Sequence, residues 1–459
     1  MTINNIKTIN AITISLGILN LILICNYLIF PVLDVDTGYY LSMAREVYSG
    51  KIYFHEIAIP YNPLSILAMG IPFLFSTDPD YFWHLLINII IMVYSSLIMY
   101  KILSYISKNA CTNRFFSMFF LFLCLVLQGK YTLLEPLSVC FQLLAVLLFL
   151  KFKSNSKNST LILVGLFIAL AFLSKQYGLF IAIPIGLQLL FDKKRILKKI
   201  LFLGIGVIIP LVVFYVYLFK YNVSLSLFLK YILGQGTEMD QGNGTSLTTS
   251  FFTYPMDFIY IMLFNLYVLI IPYLIFKYFK LLDSNKYLYF ILFLTSLSVL
   301  YFANYWHYYQ YIVPYAIILF VFLIQKTKIK VWSMVLPLVS ICFLTFYALN
   351  NLNKLDDVEK TKKQTEKVLT KIPEGSEVFL SGPSQVLYYT CKFKSINLKT
   401  IGFTFPSYFY PKTITENLNA GAYLVISAKE AEVYKKMINN YQSDNIVLNG
   451  DEYLIIKKL

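Results

Sequence analysis

With 58% of its 459 residues apolar and only 14% charged, this chain has too little polar surface to cover a soluble globule of its size. The net charge of +15 would suggest nucleic acid in a soluble protein, but most of the Lys and Arg fall in short segments between apolar runs, as the positive-inside effect requires of a membrane protein. Nucleic-acid binding is therefore excluded, and a polytopic α-helical membrane protein is expected. The six cysteines have neither metal-ligand spacing nor the arrangement of a disulfide framework, so they read as packing residues.

A spanning helix needs about twenty mostly apolar residues. Eleven stretches approach that length: 11–31, 81–105, 115–129, 136–150, 159–174, 178–192, 200–219, 257–277, 286–303, 308–325 and 331–350. The segment Leu64 to Phe75 is too short and carries Pro72, so it reads as re-entrant or surface-lying. With the N-terminus inside, the inner loops hold eighteen Lys and Arg and the outer membrane-side loops six, which orients the chain with its C-terminus outside the cytoplasm. Beyond residue 350 the composition becomes that of a soluble domain, 351–459. It opens with the charged helical run KLDDVEKTKKQTEKVLTKI and continues with QVLYYTCKF and KEAEVYKKMINNYQ as helix-like segments. Strand-like runs are EVFLSG, TIGFTF, AYLVISA and NIVLNGDEYLIIKKL, so a small extracytoplasmic α/β domain follows the membrane part, 1–350.

Chemistry concentrates after the first span, in the outer loop 32–80. Asp34 and Asp36 stand at the water boundary, where carboxylates can take a proton from an acceptor hydroxyl or hold a divalent cation against phosphate. Asp36 or Thr37 is also placed to cap the helix that follows. From Tyr40 the apolar residues Tyr40, Leu41, Ala44, Val47 and Tyr48 recur at helical spacing, with Arg45 and Glu46 opposite, and the helix is expected to lie along the membrane surface until Gly50 ends it.

Further on, Glu135 lies in GKYTLLEPLS at the outer mouth of two spans, as a snorkelling residue or a buried group with a partner. Lys175, in LSKQYG, is the lone cation of a short outer turn; it either snorkels or neutralises phosphate. The run NYWHYYQYIVP, 304–314, reads as an aromatic belt that leaves His307 unexplained. His55 and Glu56 read as a solvated pair and His84 as structural. Walker A, G-x-G-x-x-G, H-E-x-x-H and G-x-S-x-G sequences are absent.

The first outer loop, with D-V-D-T-G-Y-Y-L-x-x-A, then G-K-I-Y and Y-N-P-L, resembles that of the GT-C superfamily of lipid-phosphosugar-dependent glycosyltransferases. The likeness points to the branch containing protein O-mannosyltransferases and bacterial aminoarabinose lipid A transferases, although Tyr39 stands where the latter place an arginine. The resemblance implies an enzyme of the bacterial cell membrane that moves a sugar from a polyprenyl-phosphate donor to an envelope acceptor (glycan, lipid or protein) by single displacement with inversion. It implies Asp36 as general base with Asp34 supporting it, either residue holding a divalent cation if one is used. It further implies Glu135, Lys175, His307, Tyr308, Arg45 and Tyr61 as substrate-binding residues. An envelope polysaccharide polymerase or ligase, or a lipid-linked-sugar flippase, is the alternative; a flippase would place its ionisable groups at the bilayer midplane, whereas here they collect at one surface.

Overall fold

The structure is a computed structural model that describes residues 3–55, 62–191, 195–229, 271–276, 286–299, 306–325, 332–380, 386–395, 418–419, 421–427, 442–448 and 451–457. Apolar runs become long helices: α1 (Ile3–Ile29), α4 (Tyr81–Ile106), α5 (Ala110–Gln128), α6 (Glu135–Asn155), α7 (Asn158–Ser174), α8 (Ala182–Phe191) and α9 (Ile196–Phe219). Between α1 and α4 the chain forms α2 (Val35–Tyr48) and α3 (Pro63–Met69). Helix starts follow local chemistry. The Asp80 carboxylate accepts the Phe82 N–H at 2.8 Å to open α4, and the Asn109 side chain accepts those of Cys111 and Thr112 to open α5.

Among the described residues six helices are long and apolar enough to cross a bilayer, and Asn158–Ser174, Gln176–Phe191 and Tyr287–Leu297 are shorter apolar ones. The protein is a multi-pass membrane protein. The eleven stretches expected from sequence are thus matched in part by length; most of 257–277 lies outside the described residues. The segment Leu64 to Phe75 does not span, consisting of the seven-residue α3 and a 3₁₀ turn, Ile71–Leu74, that contains Pro72.

Polar side chains stitch the bundle where hydrocarbon would leave them unsatisfied. Asn20 of α1 donates to the Met118 carbonyl of α5, the Ser96 and Ser117 hydroxyls meet at 2.9 Å between α4 and α5, and Ser138 of α6 donates to Ala171 of α7. Helix α12 (Val313–Gln325) is buried from Val313 to Ile324 and forms the centre, after α10 (Leu225–Leu229) and α11 (Lys286–Leu297). Helix α9 by contrast exposes Ile208, Val212, Val213 and Val216, a lipid-facing surface.

After α13 (Trp332–Asn350) and the amphipathic α14 (Leu355–Leu369), the C-terminal region builds a second apolar core, around Val368, Val378, Leu387, Val425, Tyr453 and Ile455. Its strands are β1 (Glu377–Leu380), β2 (Lys394–Ser395), β3 (Tyr423–Ser427), β4 (Gln442–Leu448) and β5 (Asp451–Lys457), in the order β2-β1-β3-β5-β4. β1 runs parallel to β2 and β3, while β5 runs antiparallel to β3 and β4. The expected single strand NIVLNGDEYLIIKKL is therefore corrected to a hairpin: β4 and β5 flank Asn449-Gly450, the dipeptide that best suits a two-residue turn. The expected strand TIGFTF and helix KEAEVYKKMINNYQ lie outside the described residues, apart from Gln442 at the start of β4. The four-residue helix α15 (Leu387–Thr390) packs against α2.

Candidate active site

The site begins at the turn from α1 into α2. The first helical residue is Val35, because Asp34 is the N-cap and its carboxylate accepts the Thr37 N–H at 2.8 Å. The cap role expected of Asp36 or Thr37 thus falls to Asp34. Asp36 sits in the first turn, at the positive end of the helix, half-buried. Nor does α2 lie loose on the membrane surface, since Thr37 to Ala44 are all buried. Thr37 ties the helix to the bundle: its hydroxyl accepts the Thr132 N–H at 3.2 Å and approaches the Thr132 carbonyl at 3.4 Å. Gly50, with φ +103°, turns the chain where α2 ends.

Glu135 begins α6 and Lys175 follows the end of α7, so the two lie at one end of the helix pair. Their charged groups meet at 3.1 Å, with 2% and 1% of the side chains exposed, so the snorkelling readings of both residues are overturned. The Lys175 ammonium also faces the Tyr308 ring, 5.3 Å from its centroid. Tyr177 packs edge-on against Tyr308 at 5.1 Å and against Tyr311 at 6.3 Å, closing an aromatic wall around the cation.

The aspartates and this pair share one field. Burial pushes the Asp36 carboxyl up to about 7; Asp34 and Glu135 add to the rise while Lys175 opposes it. Burial also raises Asp34, opposed by its hydrogen bonds from Thr37 and by Lys130. A carboxylate poised near neutrality suits proton abstraction.

The structure separates the remaining expected residues. Arg45, expected to bind substrate, donates to the backbone carbonyls of Tyr388 and Phe393 in the C-terminal region, at 3.0 and 2.7 Å. It lies nine residues beyond Asp36, on the side of α2 that meets α15. The backbone of His307 lies in the 3₁₀ turn Trp306–Tyr311 beside Tyr308, and its side chain lies outside the described residues, as do Tyr61 and Glu56. His55 is exposed. His84 is buried, and its Nδ1 donates to the Met69 carbonyl at 2.7 Å, fixing the re-entrant segment. No three His, Cys, Asp or Glu side chains gather as a metal-binding group among the described residues. Asp34 and Asp36 alone would supply a cation with too few ligands for an all-protein site, so the remainder would have to come from substrate phosphate or water.

Sequence reasoning missed Thr37's tie to Thr132, the aromatic pair Tyr177 and Tyr311, and Gln142, which accepts the Tyr315 hydroxyl at 3.0 Å and donates to the Tyr177 and Gly178 carbonyls. A signal was present: Glu135, Ser138 and Gln142 recur at positions i, i+3 and i+7 in an otherwise apolar span.

Residues 43–232 match the family described as dolichyl-phosphate-mannose-protein mannosyltransferase. The fold is that of ArnT from Cupriavidus metallidurans in the apo state, with TM-score 0.63 at 10% identity, covering 97% of this chain and 98% of that one. ArnT bound to undecaprenyl phosphate gives 0.61 at 10% identity, over 99% and 98%. The Archaeoglobus fulgidus oligosaccharyltransferase tethered with an acceptor peptide gives 0.51 at 12% identity, over 94% of this chain and 72% of that one. No functionally curated protein matches the sequence.

Proposed function

From the fold of the GT-C glycosyltransferases, we infer that this chain is a membrane glycosyltransferase that moves a sugar from a polyprenyl-phosphate donor to an acceptor of the cell envelope. The family matched over residues 43–232 is described by a dolichyl-phosphate-mannose donor, and an ArnT of the same fold binds undecaprenyl phosphate, which supports the donor class. Reaction takes place on the extracytoplasmic face of a bacterial cell membrane. The distribution of eighteen inner against six outer basic residues supports that orientation, with the N-terminus in the cytoplasm and the C-terminal domain outside.

The observation that carries the reading is Asp36: it is relieved of capping by Asp34, raised to about 7, and set in the field of a buried Lys–Glu pair. The acceptor oxygen attacks the anomeric carbon, the bond from that carbon to the donor phosphate breaks, and polyprenyl phosphate leaves with the bonding electrons. Asp36 takes the acceptor's proton, and the anomeric configuration inverts. Lys175 faces the departing phosphate; an ammonium carries three N–H donors, so it can keep Glu135 and donate to a phosphate oxygen as well. Tyr308 and Tyr177 shield that charge from water, which strengthens it.

The test is transfer from a polyprenyl-phosphate sugar by purified Asp36→Asn. Asparagine keeps the size of aspartate but cannot take a proton, so the rate should fall by a factor on the order of 10² to 10⁴. Transfer at close to the parental rate would remove Asp36 as base. Mass spectrometry of lipid-linked intermediates in cells lacking the gene would identify the donor as the polyprenyl-monophosphate sugar that accumulates.

A further inference from the structure

The C-terminal region reaches the proposed catalytic helix through one small element. Helix α15 has only four residues, too few for its last carbonyls to be satisfied within it. Arg45 of α2 supplies a donor to one of them and to the chain just beyond: one guanidinium nitrogen, Nη2, reaches the Tyr388 carbonyl at 3.0 Å and the Phe393 carbonyl, past the helix end, at 2.7 Å. At the other end of the contact Gly38 lies against Val386, so closely that a Cβ added there would stand 2.6 Å from the Val386 Cα. Only a residue without a side chain lets the two backbones meet. Gly38 is two residues beyond Asp36 on the same helix.

A second grip holds α15 from the side of the loop that precedes α4. The Tyr389 hydroxyl donates to the Pro79 carbonyl at 2.8 Å, and its ring meets His84 edge-on at 5.8 Å. Lys392 bridges Asp78 of that loop, at 2.6 Å, to Glu374 of the C-terminal region, at 3.0 Å. Helix α15 is therefore a wedge, fixed on one side to the membrane part and pressing on α2 on the other. Inside the bundle α2 rests on Thr132 through Thr37, which completes the support of its first turn.

We propose that the C-terminal domain is a brace for α2, and that Arg45 is a positioning residue which transmits its grip to the reacting carboxylate rather than a residue that binds substrate. This rests on the assignment of Asp36 as the base. Along a helix that rises about 1.5 Å per residue, a grip at Arg45 and a stop at Gly38 fix both the axial position and the rotation of Asp36. Displacement of a reacting group by about 1 Å can cost a factor on the order of 10² in rate.

Arg45→Ala, Arg45→Lys and Asp36→Asn, each in the full chain, test this through two readouts: transfer kinetics per folded molecule, and hydrogen exchange of the amides of residues 38–44. The expected result for Arg45→Ala is a kcat lower by roughly 10- to 100-fold with donor and acceptor KM within about twofold, together with faster exchange in α2. In Arg45→Lys an ammonium can still meet both carbonyls, so most of the rate should return. Unchanged exchange in Arg45→Ala would overturn the brace, and faster exchange with kcat intact would overturn the positioning role. A rise in KM alone would return Arg45 to substrate binding and overturn the proposal too. Should Asp36→Asn remain active while Arg45→Ala shows both expected effects, the brace stands and it is the identity of the base that fails.

Discussion

Lys175 and Glu135 meet ammonium to carboxylate at 3.1 Å at adjoining ends of two neighbouring helices, and neither side chain reaches water to any useful degree. Two charges withdrawn from solvent in this way depend on each other, and removing one partner from a buried pair typically costs about 3–5 kcal/mol because the other is left uncompensated. Glu135→Gln and Lys175→Met should each lower thermal stability in detergent by amounts in that range. The double variant should recover most of the loss, since no lone charge remains. Its transfer activity should not recover, because the leaving phosphate still lacks its cation. Recovery of both stability and activity in the double variant would make the pair purely structural.

Helix α9 is held by a different device. A Cβ at Gly165 of α7 would lie 2.1 Å from the Leu203 carbonyl, and one at Gly206 of α9 would lie 2.0 Å from the Ile162 carbonyl. The two glycines interlock the helices backbone to backbone, as small residues do in membranes where no hydrophobic force drives helices together. The rest of α9 is largely exposed to lipid, so among the described residues this seam is its main attachment. Gly165→Leu or Gly206→Leu should detach α9 without preventing its insertion, seen as a new protease-sensitive site near residue 195 in otherwise inserted protein. Gly204→Leu, at a position where an added Cβ meets nothing within 4 Å, should be silent in the same assay.

What the sequence disclosed and what it withheld follow from the range of the interactions concerned. Long apolar runs specify bilayer helices through composition alone, and the failure of Leu64 to Phe75 to span was legible from its length and Pro72. The acidic cap of α2 was visible as well, but assigning it to Asp36 or Thr37 rather than Asp34 was an error of two or three residues, which φ and ψ decide and composition does not. Glu135 and Lys175 were each singled out, yet forty residues separate them and only tertiary packing makes them a pair. Helical spacing placed Arg45 on a polar face of α2 but did not disclose its two bonds to the C-terminal region, more than three hundred residues away in sequence. In β4 and β5 the Asn449-Gly450 signal was present and overlooked.

Asp36 gives the site a pH dependence whose sign can be worked out. Burial, reinforced by Asp34 and Glu135 and opposed by Lys175, raises its carboxyl to about 7. As the proposed base it works only when ionised, so kcat should climb as pH rises through about 7 and flatten above it. The same shift acts oppositely on stability. A group whose folded pKa lies above its unfolded value stabilises the fold fully below the unfolded pKa, near 4 for aspartate, and this contribution is lost as pH rises towards and through about 7. The protein should therefore trade stability for activity across that window, measured as unfolding temperature and transfer rate on the same samples. Asp34→Asn sharpens the test. Asparagine caps a helix as well as aspartate does, so α2 should stay formed, but the charge that helps raise Asp36 is gone. The acid limb of the rate profile should then move to lower pH with the plateau rate kept within about threefold, as expected when a cap is preserved. An acid limb that stays near 7 in Asp34→Asn would show that the titrating group is not Asp36, and one that vanishes in the parental enzyme would show that no carboxyl group limits the rate.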